Sequence, residues 1–213
     1  TSIERLRISS IQAHEISEEL LDVYREYSHR ICNHFHLALQ SGSNNILKLM
    51  RRKYDNKDYL KSVNLIKSKL TNPSISTDVI VGFPGETEKD FNATLKIIKS
   101  SKFSKIHLFP YSDRPGTSSY YFKNKINPEI KKERMNIALR LSNIEESTYR
   151  KNVSNQKRNI LWEKPLNQSP TIFEGYSEDY LRVQTESKYD LYNKITPVIL
   201  QESNKNYIIG KVL

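Results

Sequence analysis

One short stretch in the first half of the chain limits the fold most strongly. Asp78 is followed by an uncharged apolar run at residues 79–81 and by a glycine-rich turn at residues 82–85. Such a run is typical of a buried parallel strand. Thr87 then begins a helix, and Asp90 is placed to complete a capping box. A strand, a glycine-rich turn and a helix start therefore follow one another directly, as in a β-α unit.

Similar apolar runs start about 30 residues apart, which is the length of one β-α unit. We predict four parallel strands, at residues 6–10, 35–40, 78–81 and 105–111. The polar and glycine-containing residues all follow the strand ends, so we expect them at one edge of the sheet, where α/β proteins bind ligands. Because a closed barrel of this type needs about eight strands, four strands indicate an open sheet or part of a barrel.

The second half of the chain changes character after a long predicted helix. Asn127 caps this helix, Pro128 is its first residue, and it runs to about residue 152. Its expected apolar stripe consists of Ile130, Ile137, Leu141 and Ile144. From residue 157 onward, five short β-type runs separated by turn residues predict a small all-β barrel or sandwich. We therefore predict two domains, residues 1–152 and 153–213.

Composition restricts the partners and the compartment. The formal charge of +10 favours a polyanionic partner such as nucleic acid. Cys32 is the single cysteine, which excludes an internal disulfide. No run approaches the ~18–20 apolar residues of a membrane span, and the N-terminus lacks a signal-peptide pattern. We expect no membrane association and a cytoplasmic protein.

Several segments together resemble the radical S-adenosylmethionine tRNA methylthiotransferases, and they occur in the order found in that family. They are RISSI at 7–11, HLALQSGS at 36–43, ILKLM at 46–50, DVIVGFPGET at 78–87 and FPYSDRPGT at 109–117. ICNHFH at 31–36 and MRRKY at 50–54 are most similar to the branch acting on threonylcarbamoyladenosine beside the tRNA anticodon. The branch acting on isopentenyladenosine is the alternative. EGYSEDYLRV at 174–183 resembles the TRAM domain, a small β-barrel that grips tRNA in these enzymes.

The resemblance implies an α/β fold, the second half of a parallel (β/α) radical-SAM barrel followed by a TRAM barrel. It implies methylthiolation of the modified adenosine at C2, with S-adenosylmethionine and [4Fe-4S] clusters as cofactors and the tRNA anticodon stem-loop as partner. The family holds its clusters with two sets of three cysteines, and a single cysteine cannot supply these thiolates. We therefore expect a partial sequence, inactive alone, with no catalytic or metal-binding residue of its own. We also expect a monomer; the sulfur donor stays unidentified.

The resemblance also implies which residues bind the cofactor. These residues are Ser9, Ser10, Gln40, Ser41, Val81, Gly82 and Tyr111. Serine hydroxyls and the Gln40 amide suit hydrogen bonds to a cofactor, and glycine lets the backbone approach it closely. From the residues alone, Ser9 and Ser10 can equally cap a strand end, and Gly82 can serve only the turn.

A second set of residues is expected to contact tRNA. It consists of Arg114, Lys157, Arg158, Tyr180 and Arg182. Arginine and lysine bind phosphates, the Arg114 fork also suits a carboxylate on a modified base, and tyrosine stacks on unpaired bases. The alternative is a solvated basic surface. The clusters at residues 51–53 and 131–132 fit tRNA backbone contact or a solvated helix face equally well.

The sequence allows four further interpretations. Cys32, His34 and His36 share one strand face by spacing, but we favour packing or tRNA contact there because a metal site normally needs more ligands. Asp78 can lie buried against a cation or cap the chain locally. A freestanding RNA-binding module is a second functional class. A hydrolase using Asp78 and Glu86 is disfavoured, because one strand separates them by ~26 Å.

Overall fold

The computed structural model describes residues 2–166, 169–204 and 206–213. The first part of the chain contains, in order, α1 (Glu18–Glu26), β1 (His34–His36), α2 (Asn44–Leu49), α3 (Asn56–Lys69), β2 (Ser74–Val81), α4 (Glu88–Ser101), β3 (Lys105–Pro110) and α5 (Pro128–Val153). The second part contains β4 (Lys157–Leu166), β5 (Ser169–Ser177), β6 (Arg182–Glu186), β7 (Ile195–Ser203) and β8 (Ile208–Val212). Short 3₁₀ turns occupy Ala13–Glu15 and Ser118–Tyr121.

The helices begin where the local sequence supplies a cap. Ser17, Ser43 and Thr87 each accept a hydrogen bond from a backbone N–H in the first turn of α1, α2 and α4. Asp90 completes the predicted capping box at the start of α4. Asn127 accepts from the N–H of Glu129 at the start of α5, with Pro128 at its first position. These predicted helix starts are confirmed.

Strands β1, β2 and β3 form a parallel sheet in that spatial order. The alternation along β2 sends Ile75, Thr77 and Val79 toward the helices and sends Ser76 and Asp78 to the opposite face. The helix-facing side holds the larger hydrophobic core, which includes Phe35, Leu37, Tyr59, Phe91 and Ile106. The parallel arrangement predicted from the β-α spacing is confirmed.

The predicted strand at residues 6–10 is wrong. Leu6 and Ile11 each make a single parallel bridge, to Ile31 and Leu37, and Ser9 and Ser10 between them are exposed. No continuous ladder joins the two bridges, because they differ in register by one residue: Ile31 comes 25 residues after Leu6, and Leu37 comes 26 residues after Ile11. The predicted strand at residues 35–40 is likewise shorter than expected.

The C-terminal strands close into a barrel in the order β4-β5-β6-β8-β7. Trp162, Ile160, Val183 and Leu200 are fully buried inside it. A Cβ at Gly175 would lie 2.3 Å from the Leu161 carbonyl oxygen, so only glycine fits at this position of β5, beside its partner strand β4. The prediction of a small all-β barrel is confirmed.

Helix α5 contacts both cores, but not through the predicted stripe. Three of the four stripe members are exposed: Ile130, Ile137 and Ile144. The buried face follows residues spaced by four: Arg134, Ala138, Ser142 and Glu146. Glu146 pairs with Lys105 of β3 at 2.8 Å, and Arg134 donates to the Glu86 carbonyl oxygen at 2.9 Å. Ion pairs and hydrogen bonds thus compensate the burial of polar side chains on this face.

The barrel contacts the segment that precedes α1 through two arginines. Arg5 donates to the carbonyl oxygens of Tyr176 and Asn159 at 3.0 and 2.8 Å, and Arg7 donates to that of Ser177 at 2.9 Å.

Among the described residues, none of the helices combines the length and apolarity that crossing a membrane requires.

Candidate functional site: a cavity at the strand ends and a basic surface on the barrel

A cavity of about 620 Å³ lies at the carboxyl ends of the parallel strands. Its lining combines Gln40, Asp78, Ile80, Phe83, Tyr111, Arg114 and the basic pair Arg51 and Arg52 with neighbouring loop residues. Pockets for small molecules and cofactors commonly measure ~300–1,000 Å³. The expected ligand edge of the sheet therefore contains a cavity of suitable size.

Backbone geometry brings Gln40 and Tyr111 to this cavity. Gln40 has a φ of 61° and still bonds β2, because its N–H donates to the Asp78 carbonyl oxygen at 2.8 Å. A non-glycine residue in the left-handed region costs free energy, and such residues cluster at functional sites. The Tyr111 N–H donates to the Val81 carbonyl oxygen at 2.8 Å, and its ring meets Phe83 edge-on at 5.2 Å between centroids.

Cationic side chains dominate the charge of the cavity. Arg51, Arg52 and Arg114 line it, and Asp78 is the one carboxylate among the described lining residues. Nε of Arg52 is buried and has no hydrogen-bond partner within the described part of the chain. An unpaired buried donor of this kind is costly, so it favours a ligand that carries acceptor oxygens. Sequence reasoning left the Arg51 cluster undecided, and its contribution to the cavity was missed.

Gly82 is positioned by Glu86 rather than open to a ligand through its N–H. The Glu86 carboxylate accepts a hydrogen bond from the Gly82 N–H, and Arg134 lies 3.7 Å from Oε1 of Glu86. Burial raises the pKa of the Glu86 carboxyl, and the Gly82 bond and the Arg134 charge offset only part of that rise. Gly82 has a φ of 76°, and a Cβ there would lie 2.7 Å from the side chain of Lys131.

The other residues predicted to bind the cofactor lie outside the cavity lining. Ser9 and Ser10 are exposed, and neither is among the described residues that line the cavity. Ser41 is buried, with its hydroxyl 3.3 Å from that of Thr94. Val81 packs in the hydrophobic core. The structure therefore brings Gln40 and Tyr111 together with Arg114, and it separates them from the serines.

A polar cluster occupies the sheet face opposite the helices. Nδ1 of His36 lies 2.9 Å from the Ser76 hydroxyl, and Nε2 lies 3.1 Å from Oδ2 of Asp78. Nε2 of His34 is 3.0 Å from the same hydroxyl. Burial lowers the pKa of His34 to about 4 and also lowers the pKa of His107, which lies beside Asp78. His107 was missed from sequence, although its position two residues after Lys105 places it on this face.

The single cysteine does not fit an iron–sulfur cluster. Cys32 is 2% exposed, and burial raises the pKa of its thiol, whereas cluster ligands are thiolates and are needed in threes or fours. The donors around the cavity do fit a small ligand with adenosine and amino-acid groups, because amide, carboxylate, guanidinium and aromatic side chains surround it. The cavity therefore suits the nucleoside cofactor but not the cluster.

On the barrel, two of the predicted tRNA-contacting arginines are paired. Nε of Arg158 lies 3.0 Å from Asp179, and Nε of Arg182 lies 2.7 Å from Glu174. Lys157 is exposed.

Tyr180 is half-exposed with a φ of 65°, and its ring lies 4.5 Å from the Arg7 guanidinium and is stacked on Tyr176. Sequence reasoning missed two exposed tyrosines of the barrel, Tyr189 and Tyr192. Tyr189 is 82% exposed, and Nζ of Lys164 lies 5.8 Å from the ring of Tyr192. The spacing of Tyr189 and Tyr192 in a turn-rich segment was the available signal.

Comparison with known proteins identifies the family. Residues 2–98 match the family model of the radical SAM superfamily. A threonylcarbamoyladenosine tRNA methylthiotransferase MtaB from Bacillus subtilis is 36% identical over 98% of this chain and 47% of its own length. A tRNA-2-methylthio-N(6)-dimethylallyladenosine synthase from Alkaliphilus oremlandii is 34% identical over 99% of this chain and 45% of its own length.

The solved structure of coproporphyrinogen III oxidase HemN from Escherichia coli, a radical SAM enzyme, has a similar fold. Its TM-score is 0.56 at 13% identity, over 82% of this chain and 46% of that one. The chain spans about half the length of the curated relatives it matches. With sequence similarity over almost all of its residues, the chain belongs to the radical SAM superfamily, in the family of the tRNA methylthiotransferases.

Proposed function

We propose that this chain is the cofactor-holding and tRNA-gripping part of a tRNA methylthiotransferase. The observation that carries the proposal is the meeting of Gln40, Tyr111 and Arg114 around one cavity at the strand ends. Those three residues come from segments shared with the family, and the same edge of parallel strands binds ligands in other α/β proteins. The closed C-terminal barrel would be the TRAM domain of such an enzyme.

The cavity would hold the nucleoside and amino-acid portions of S-adenosylmethionine. When bound, this cofactor supplies the methyl group of the methylthio product. Gln40 and Tyr111 would orient the cofactor by hydrogen bonding and stacking, and Arg52 would bind a carboxylate or ribose oxygen. The [4Fe-4S] clusters need cysteines beyond Cys32, so this chain by itself would be inactive.

The barrel would bind the tRNA anticodon stem-loop. Nζ of Lys164 lies 5.8 Å from the exposed ring of Tyr192, and Tyr189, three residues earlier, is also exposed; lysine suits phosphates and tyrosine suits unpaired bases. Lys157 and Tyr180, both exposed, would add to this surface. Arg158 and Arg182, which are already paired with carboxylates, would contribute less than the sequence suggests.

Arg114 supports the threonylcarbamoyladenosine branch. Its exposed guanidinium lines the cavity, and a planar fork of donors matches the threonyl carboxylate of threonylcarbamoyladenosine. Isopentenyladenosine, the alternative substrate, offers only an apolar group there. A second function, RNA binding without chemistry, is favoured by the single cysteine. The monomeric state and the cytoplasmic location stay predictions.

Calorimetric titration with S-adenosylhomocysteine, a stable cofactor analogue, tests the cavity. We expect one molecule to bind per chain and Gln40→Ala to weaken binding by about tenfold, since a lost hydrogen bond to a ligand costs ~1.5 kcal/mol. Gln201→Ala, an exposed glutamine of the barrel, is the matched control. Absence of binding by the folded chain would contradict the cofactor assignment.

Filter binding of an anticodon stem-loop RNA at several salt concentrations tests the barrel. Lys164→Gln is expected to reduce the salt slope by about 1, and Tyr192→Ala to weaken binding by ~1–3 kcal/mol. Lys61→Gln and Tyr27→Ala, both on exposed helix surfaces, should change neither quantity. Equal effects of the barrel and control variants would place the RNA elsewhere.

The same RNA carrying threonylcarbamoyladenosine or isopentenyladenosine separates the two branches. We expect tighter binding of the threonylcarbamoyl form, and Arg114→Ala should abolish the difference. Arg140→Ala removes another exposed arginine and should preserve it. Tighter binding of the isopentenyl form would reverse the branch assignment while leaving the cofactor site intact.

A further inference from the structure

Three potential metal ligands meet on the sheet face opposite the helices. His36 of β1, Asp78 of β2 and His107 of β3 each offer one ligand atom, and these atoms all lie within 4.8 Å of one another. Nε2 of His36 and Oδ2 of Asp78 are 3.1 Å apart. Two ligands bound tetrahedrally at about 2.1 Å to one ion lie ~3.4 Å apart, so these two atoms need to separate by only ~0.3 Å to bind one ion.

Strand register, rather than a mobile loop, sets this arrangement. Asp78 is the direct partner of His107 between β2 and β3, and Ser76 is the partner of His36 between β1 and β2. Each ligand therefore projects from a hydrogen-bonded parallel strand. Sites built on strands keep their geometry better than sites built on loops.

A second layer of contacts orients His36. Its Nδ1 lies 2.9 Å from the Ser76 hydroxyl, which leaves Nε2 directed toward Asp78. When Nδ1 carries the proton and donates to Ser76, the Nε2 lone pair is available to a metal. The Ser76 hydroxyl can then donate to Nε2 of His34, 3.0 Å away. Histidine ligands in metalloproteins are commonly fixed by such a bond from the other ring nitrogen.

The nearest cation on β3 is already paired, and the three ligands are accessible from two cavities. Lys105, the cation nearest in register on β3, is neutralised by Glu146 at 2.8 Å. Asp78 lines the 620 Å³ cavity, and His107 lines a second cavity of about 340 Å³ beside the barrel. The side chains of His36 and Asp78 keep 15% and 28% of their exposure. An ion can thus enter from either cavity.

We propose that His36, Asp78 and His107 bind one divalent first-row transition ion, with Zn²⁺ as the best match. Two imidazoles and one carboxylate are typical zinc donors, and three protein ligands leave a further position for water or another ligand. One bound ion would therefore connect all three strands of the sheet. It rests on sheet residues alone and does not depend on the proposed function.

Cobalt(II), which takes the place of Zn²⁺ and absorbs visible light, is the probe. The full 213-residue chain without a polyhistidine tag is stripped with a chelator and titrated with Co²⁺. We expect absorption that saturates at one ion per chain and disappears when Zn²⁺ is added. Asp78→Asn and His107→Gln should each weaken binding at least tenfold.

Matched variants separate this site from other ligands. Asp22→Asn and His14→Gln change exposed residues of the same types and should leave binding unchanged. Cys32→Ser should also leave the spectrum unchanged, because no thiolate belongs to the site. Ser76→Ala keeps all three ligands and should weaken binding about 10–100-fold by releasing His36.

Circular dichroism of each variant shows whether it folds. If Asp78→Asn or His107→Gln unfolds, the Ser76→Ala result and protection of His36 and His107 from diethyl pyrocarbonate by Zn²⁺ decide the question. Saturable protection of both histidines supports the site. No saturable binding by the folded chain, or binding that survives in folded Asp78→Asn or is lost in Cys32→Ser, would overturn it.

Discussion

Nε of Arg158 lies 3.0 Å from Oδ2 of Asp179, and this ion pair stands where the barrel meets the rest of the chain. The Tyr149 hydroxyl of α5 donates to the same carboxylate oxygen at 3.0 Å. The Ser74 hydroxyl of β2 lies 3.0 Å from the Asp179 carbonyl oxygen. Asp179 therefore ties β4, α5 and β2 to one turn of the barrel.

Asp179→Asn should destabilise the chain by ~3–5 kcal/mol, because Arg158 would remain as a largely buried charge without its partner. Urea denaturation measures the loss. Asp22→Asn breaks an exposed ion pair with Arg25 and should cost less than ~1 kcal/mol. Similar losses in the two variants would mean that the Asp179 contacts contribute little.

Gly82→Ala should destabilise more than Gly116→Ala. Both glycines have positive φ values, 76° and 84°, so both substitutions strain the backbone. Only at Gly82 does the added Cβ meet a neighbour, Lys131, at 2.7 Å. Thermal melts measure the difference, and Lys131→Ala should remove it in the double variant. If the double variant keeps the extra loss, contact with Lys131 is not its cause.

Glu86 should make stability fall as the pH rises. The ordinary pKa of a glutamate carboxyl is 4.5, and burial raises the pKa of Glu86 above it in the folded state. The folded state therefore binds this proton more tightly than the unfolded state does. As a result, the free energy of unfolding decreases from about pH 4.5 up through the raised pKa. One such group can lower the free energy of unfolding by at most ~1.4 kcal/mol per pH unit.

Glu86→Gln removes that titration. The free energy of unfolding of the variant minus that of the unchanged chain should therefore rise with pH over this window. Urea melts at several pH values measure it. Glu88→Gln, at an exposed position on α4, should give a difference that hardly varies with pH. A flat difference for Glu86→Gln would show that burial leaves the pKa of this carboxyl at its ordinary value.

Thr196→Val should weaken the barrel by ~1–3 kcal/mol. Nε1 of Trp162 donates to the Thr196 hydroxyl at 2.7 Å, and valine would leave this buried donor unpaired. Trp162 is the single tryptophan, so its fluorescence during urea denaturation reports on the barrel. Thr171→Val, exposed on β5, is the matched control. An unchanged fluorescence midpoint for Thr196→Val would argue against this hydrogen bond.

Local sequence was sufficient wherever one residue type decides the structure. Ser17, Thr87 and Asn127 mark helix starts because their side chains satisfy free N–H groups. The strand predicted at residues 6–10 failed because pairing depends on register with a neighbouring segment, and the bridges at Leu6 and Ile11 differ in register by one residue. The placement of the domain boundary near residue 153 stays a prediction.

The candidate site was predictable only in part. The strand-end rule placed Gln40 and Tyr111 at the correct edge of the sheet. It could not show that Arg51 and Arg52 line the same cavity, because the positions of both arginines depend on the turn after α2. It also missed the pairing of Asp78 with His36, since register between β1 and β2 is not encoded in either strand alone. The buried face of α5 was misjudged because its polar residues find partners in distant segments.

Helix α5 fixes the distance and the rotation between the two hydrophobic cores. The helix is 26 residues long. Ala138 packs into the core beneath the sheet, and Val153, its last residue, packs into the core of the barrel. At 1.5 Å and about 100° per residue, adding one residue to its middle would shift the barrel slightly and swing it by more than a quarter turn. The orientation of the barrel relative to the cavity is therefore set by the number of residues in one helix.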